Sequence, residues 1–227
     1  MSNAWTLTVT APASNLQLLS EEELRIAAGL QPDDTTQDAA LAIRGLQVAE
    51  ALAGACGIAR AGYDPSLAPL RGPAPLTLKA ETLIQSFRIW QGYQSPKLLL
   101  ARWPALEVLS VTVDETALVI DDWVLDIPGA SLTRVYGNGT LSWPYGRVSV
   151  EFDAGWDVVP EGLKGYAARM VNLYHSSAGA DPSERRVEIP GVITLERWVD
   201  TASTDSLVPE DIMAGLERDG YRRVLAA

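Results

Sequence analysis

Residues 152–164 read FDAGWDVVPEGLK. On its N-terminal side lies GRVSVEFDAG, in which Val148, Val150 and Phe152 point one way and Ser149, Glu151 and Asp153 the other, the period of two expected of a strand with one buried face. On its C-terminal side the period changes: Leu163, Tyr166, Ala167, Met170, Leu173, Tyr174 and Ser177 share one helix face, with Lys164, Arg169 and Asn172 away from it. Pro160 suits a first helical turn, where its missing N–H is not needed, and Glu161 meets the positive end of the helix dipole. Between strand and helix, Gly155 permits a reversal and Trp156 can cover it. Asp153 and Asp157 have no histidine, lysine or cysteine beside them to make an acid–base pair. Gly155, Trp156 and Pro160 are therefore read as a strand–helix joint, not as the mouth of an active site.

Working outward, LEVLSVTVD alternates Leu109, Val111 and Val113 against Val108, Ser110 and Thr112. In WVLDIPGASLTRV a Pro128-Gly129 turn divides a hairpin, with Trp123, Leu125 and Ile127 on one face. Upstream, Ser20 and Glu23 in SEEELRIAAGL form a capping box, and Gly29 closes a short helix. In PDDTTQD, Asp34 and Gln37 offer a second start, for a helix running to about Cys56 or Ala59. One face of that helix carries Leu41, Val48, Ala49, Leu52 and Cys56, and a second carries Ile43, Leu46 and Ala53. Two apolar faces predict contacts on two sides, with a neighbour in the same chain or in another, which makes Ile43, Leu46 and Ala53 candidates for a subunit interface. A proline-rich connection, GYDPSLAPLRGPAP, joins this helix to the strands. After the third helix come one more strand, RRVEIPGVITLERW, and a short helix, VPEDIMAGLERD, stopped by Gly220.

The order of elements predicts an α+β fold: a small helical bundle with an antiparallel β-hairpin layer inserted between its second and third helices, and an extended C-terminal tail. Residues 1–19 are set apart as an N-terminal extension. The main domain covers 20–200, with helices at about 20–29, 34–59 and 160–177 and β layers at about 76–157 and 185–199. Residues 201–227 form the tail.

The chain has 227 residues, 47% of them hydrophobic, which is enough to bury a sizeable core. Eighteen basic against 29 acidic residues give a net charge of −11, which argues against a broad basic surface for gripping nucleic acid. The single cysteine, Cys56, excludes an intrachain disulfide and points to a reducing compartment. MSNAWTLTVTAP lacks the basic and long apolar regions of a signal peptide, and no run reaches the roughly 18 apolar residues of a membrane span.

Catalytic chemistry finds little material. No nucleophile elbow, phosphate loop, dinucleotide fingerprint or HExxH motif occurs. His175 is the only histidine, on the flank of the apolar stripe near Lys164, and one His with one Cys cannot build the usual four-ligand zinc cage. No cofactor, metal or catalytic residue is expected. The acids at Glu21–Glu23, Asp33 and Asp34 are explained as helix starts, and Asp121 and Asp122 as a turn. Seven tryptophans keep a second reading open, a carbohydrate-binding β-module with aromatic contacts, although Trp103 and Trp143 stand directly before prolines at strand boundaries. A hydrolase using Asp153 or Asp157 is a third.

Three stretches together resemble the head–tail connector (adaptor, or head-completion) proteins of long-tailed bacteriophages and gene transfer agents. SEEELRIAAGLQPDDTTQDAALAIRGLQVAEALAG is similar to the family's opening helix pair, and LLLARWPALEVLSVTVDETALVIDDWVLD to its strand and Trp/Pro turn. VSVEFDAGWDVVPEGLKGYAARMVNLYHSSAGADPSERRVEIPGV is similar to its strand, aromatic-flanked glycine, helix and E-x-I-P-G-V strand. The resemblance covers roughly residues 18–200, and the long N-terminal segment and the connection at 62–75 depart from it. It implies a structural, non-enzymatic protein of the virion, assembled in the bacterial cytoplasm into a homo-oligomeric ring, most often of twelve. Such a ring sits between the portal protein and the next tail-side connector, stopper or tail terminator. DNA passes through its lumen without specific binding, and no membrane is involved. It also implies a tail that docks on the portal, which assigns that role here to Leu207, Val208, Ile212, Met213, Leu216, Tyr221 and Val224.

Overall fold

The computed structural model describes residues 5–64, 73–92, 95–177, 186–189, 193–196 and 208–222. The chain divides into two compact units. A β unit comprises the described parts of Met1–Leu16 and Cys56–Pro160, and a helical unit those of Gln17–Ala55 and Glu161–Arg222. The α+β class expected from the sequence is present, but the β part is more than a hairpin layer.

In the β unit the strands are β1 (Trp5–Ala11), β2 (Gly62–Tyr63), β3 (Glu81–Ile89), β4 (Lys97–Leu99), β5 (Ala105–Val113), β6 (Thr116–Ala117), β7 (Trp123–Asp126), β8 (Ser131–Tyr136), β9 (Gly139–Thr140) and β10 (Gly146–Ala154). One sheet has the order β2-β1-β3-β10-β5-β6, and a second has β4-β8-β7 with β9 paired to β8. The first sheet is antiparallel except where β1 meets β2. Residues 5–11, set apart above as an extension, instead supply β1. WTLTVTA alternates, so Leu7 and Val9 enter the core while on the other face Thr6 is exposed and Thr8 and Thr10 are half-buried. The region expected as a connection at 62–75 opens with β2; its residues 65–72 lie outside the described residues.

The core of this unit gathers Leu83, Phe87 and Ile89 of β3, Val148, Val150 and Phe152 of β10, Val108 and Val111 of β5, Leu98 and Leu132 of the second sheet, and Leu100 just after β4. Gln85, fully buried, ties β3 to the chain after β4: its Oε1 accepts from Ala101 N–H at 2.8 Å and its Nε2 donates to the Leu99 carbonyl at 3.3 Å. The strict alternation predicted for 108–113 is broken. The register shifts between the pairs Glu151–Ser110 and Phe152–Val108, a bulge that turns both Val108 and Val111 inward and leaves Leu109 48% exposed.

The helical unit contains α1 (Glu21–Ala27), α2 (Asp38–Ala55), α3 (Glu161–Ser177) and α4 (Glu210–Arg218), with strands β11 (Arg186–Ile189) and β12 (Ile193–Glu196). The capping box on α1 is complete: Glu23 N–H donates to Ser20 Oγ at 3.2 Å, and Ser20 N–H to Glu23 Oε2 at 2.7 Å. The second helix starts at Asp38, later than expected, because Asp34 accepts from the N–H and hydroxyl of Thr36 and holds a turn there. Within RRVEIPGVITLERW there are two strands and not one, β11 and β12 pairing antiparallel with Ile189 opposite Ile193; residues 190–192 lie outside the described residues. On α3 the buried residues are Leu163, Ala167, Met170 and Val171, while Leu173 is 41% exposed.

Candidate interaction surfaces

At the strand–helix joint, Gly155 has φ +110, and a Cβ there would come within 2.3 Å of the Lys79 carbonyl oxygen. Only glycine fits. The joint is closed by backbone bonds from Gly155 N–H to Pro104 O (2.9 Å), Trp156 N–H to Leu78 O (2.8 Å) and Ala80 N–H to Trp156 O (3.3 Å). The Trp156 ring meets Trp103 edge to face, with centroids 5.2 Å apart. Asp153 accepts from the Thr82 hydroxyl at 2.7 Å, so this acid belongs to the sheet's own hydrogen bonding.

Beside it lies a feature that sequence reading missed. Glu81 and Arg102 are both buried, with Arg102 Nη1 at 3.5 Å from Glu81 Oε2 and donating to the Thr77 carbonyl at 3.0 Å. Burial pushes the Glu81 carboxyl up, against the pull of Arg102, and pushes the Arg102 guanidinium down. Strand alternation places Glu81 on the inward face, yet no local pattern announces a partner on a different segment.

In the helical unit, α1, α2 and α3 are pinned by ions. Arg25 grips Asp38 through two parallel hydrogen bonds, Nε to Oδ1 at 2.7 Å and Nη2 to Oδ2 at 2.6 Å. Lys164 contacts Glu23 at 2.8 Å and Glu161 at 3.2 Å. The Lys164 hydrogen bond holds the Glu23 carboxyl below its ordinary value, and the Arg25 hydrogen bond does the same for Asp38. His175, expected near Lys164, instead has Nδ1 at 2.6 Å from Arg44 Nη1, where it can only accept.

The expected assembly residues divide. On α2, Ile43 is 61% and Leu46 42% exposed, forming an open apolar pair, but Ala53 is fully buried and cannot share that face. Of the expected portal-docking residues, Leu207 and Val224 lie outside the described residues. Val208, Ile212 and Leu216 are buried, and Met213 and Tyr221 half-buried. α3 of the same chain approaches α4 through side chains. Gly215 lets the Tyr166 ring approach, Gly162 does so for Tyr221, Tyr166 donates to Asp219 at 2.6 Å, and Arg169 pairs with Asp211. The residues that make α4 amphipathic are thus buried within the helical unit.

Among the described residues no group of three or more His, Cys, Asp or Glu could hold a metal, and no helix is long and apolar enough to cross a membrane. Trp143, one of the aromatics weighed for sugar contacts, is 2% exposed and donates Nε1–H to Pro96 O at 2.8 Å, so it offers no stacking face.

No protein-family model matches this chain, and no curated protein does. Solved structures do. The chain superimposes on a chain from the neck of an empty GTA particle computed with C6 symmetry (TM-score 0.58, 18% identity, covering 98% of this chain and 97% of that one). It also superimposes on a chain from the virion of the native gene transfer agent (GTA) particle (TM-score 0.57, 17% identity, 97% of each). A third match is a chain from the neck of the native GTA particle computed with C12 symmetry (TM-score 0.52, 16% identity, 96% of this chain and 97% of that one). At these identities the likeness is one of architecture: the chain has the fold of chains found in the neck and virion of gene transfer agent particles.

Proposed function

We propose that this protein is a structural adaptor of the head–tail junction, assembling into a ring between the portal and the tail of a gene transfer agent or phage and extending the DNA channel. The observation that carries the reading is a shared fold over nearly the whole length of both chains, the matched chains coming from particle necks. The sequence resemblance to head–tail connectors points the same way from independent material. A ring of twelve is the natural copy number, in keeping with the twelve-fold and six-fold symmetries of those necks. The net charge of −11 suits a lumen past which DNA slides without being held. Ile43 and Leu46 offer an apolar contact to a neighbouring subunit. Docking of the C-terminal segment on the portal, if it uses Ile212 and Leu216, requires α4 to leave α3.

The test is electron microscopy of particles with and without the gene. The reading expects a ring of this chain at the vertex, with full heads and no attached tails when the gene is deleted. Tailed, infective particles assembled without it overturn the reading.

A further inference from the structure

Two arginines stand directly opposite each other on the polar face of the larger sheet, Arg88 of β3 and Arg147 of β10. Like charges at paired positions oppose folding. No carboxylate side chain among the described residues forms an ion pair with either guanidinium. Asp114, which lines the same groove, has Oδ1 accepting from the backbone N–H of Arg147 at 2.8 Å. The Arg88 guanidinium lies 5.1 Å over the Trp90 ring. The groove is open, about 700 Å³, and walled also by Trp5 and Tyr145, which are 42% and 68% exposed. Its chemistry suits carboxylates carried among apolar side chains.

The same unit displays the complement. After β6 the chain makes a 3-10 turn, Ile120–Asp122, whose acids Asp121 and Asp122 stand among Val119, Ile120 and Val124, exposed by 65%, 70% and 55%. This turn takes no part in lining the groove, and β5 and β6 follow β10 in the sheet order before the chain reaches it. A basic, aromatic groove and an acidic, apolar turn at different places on one molecule are the two halves of a head-to-tail contact, the type that closes into rings.

We propose that the Arg88–Arg147 groove of one copy receives the Val119–Asp122 turn of the next, and that this contact joins neighbouring copies. Its closure into a ring rests on the adaptor reading above; the pairwise contact does not.

Sedimentation velocity of the full chain over a concentration series, at low and high salt, tests it. Wild type is expected to self-associate, less so in high salt. R88E/R147E and D121R/D122R should each weaken self-association about tenfold or more. An equimolar mixture should recover it, because each variant then offers the charge the other lacks. Should the reversals lower the melting temperature, R88Q/R147Q reads out the same loss with less perturbation. A wild type that stays monomeric, variants that associate like wild type, or a mixture that fails to recover overturns the proposal. A vertex ring built normally from R88E/R147E overturns this contact and leaves the adaptor reading standing. Absence of the chain from the neck overturns the adaptor reading and leaves the solution contact standing.

Discussion

Gly155 packs against the backbone of Lys79 so closely that a methyl group on it would sit 2.3 Å from that residue's carbonyl oxygen. The joint between β10 and α3 is built around this approach, and its backbone bonds to Pro104 and Leu78 depend on it. Gly155→Ala meets a positive φ and a backbone clash together, neither of which a rotamer change relieves. The expected loss is about 3 kcal/mol or more, read by urea denaturation. A loss under about 1 kcal/mol would show that the joint can open without harm.

The Arg25–Asp38 clasp makes an acid-sensitivity prediction for the helical unit. The folded Asp38 carboxyl titrates below its ordinary value of 3.8. Its contribution is therefore present above that value and is lost as pH falls through the lower folded pKa. Glu23, held down chiefly by the Lys164 hydrogen bond, acts in the same sense. Asp38→Asn should reduce stability at neutral pH and flatten its decline below about pH 4. Thermal melts of both proteins across that range check the slope, and parallel profiles would exclude the clasp as its source.

Leu216 has no exposed surface, and Ile212 shares that condition. Leu216→Ala should lower the stability of the helical unit by about 2–5 kcal/mol, the range for a cavity in a packed core. Removal of 208–222 should do more, measured by loss of helical circular dichroism. If either change leaves the melt untouched, α4 contributes nothing to the stability of the helical unit.

The strand, joint and helix around residues 146–177 were legible because the period of apolar residues changes from two to 3.6 across a glycine and a proline, all within one short window. The same holds for the Ser20–Glu23 box, whose partners are three residues apart. What escaped depends on register between distant segments. The bulge that turns Leu109 outward, the meeting of Arg88 with Arg147 and the buried Glu81–Arg102 pair are set by which residues face each other across strands or loops. Alanine carries too weak a signal to assign a face, which is why Ala53 was grouped with Ile43 and Leu46 but is buried. The alternation in WTLTVTA was visible, yet a strand entering the sheet ahead of the first helix falls outside any hairpin pattern.

Ile43 and Leu46 separate assembly from folding. Both project from α2 into solvent, so Ile43→Ser with Leu46→Ser should change stability by no more than about 0.5 kcal/mol per site. On the adaptor reading proposed above, incorporation of the chain into particles should fall. A variant that folds and is incorporated like wild type would remove this face from the assembly.

Glu81 and Arg102 supply the sharpest test of the β unit's energetics. Each is taken out of water, and each has the other as its nearby opposite charge at 3.5 Å. Arg102→Met leaves the buried Glu81 carboxyl without its counter-charge, with only the Ala13 backbone hydrogen bond remaining, and removes the donor to Thr77 O, so a loss of about 3–5 kcal/mol is expected. The double variant Glu81→Met/Arg102→Met replaces both charges with apolar volume and should recover most of that loss. The pH dependence has the opposite sign to that of Asp38. Because the folded Glu81 pKa lies above 4.5, its contribution is complete below that value and disappears as pH rises through the folded pKa. The double variant must therefore lose this descending component as well as regain stability. A double variant as unstable as Arg102→Met, with the wild-type pH profile, would place the cost in packing and not in charge.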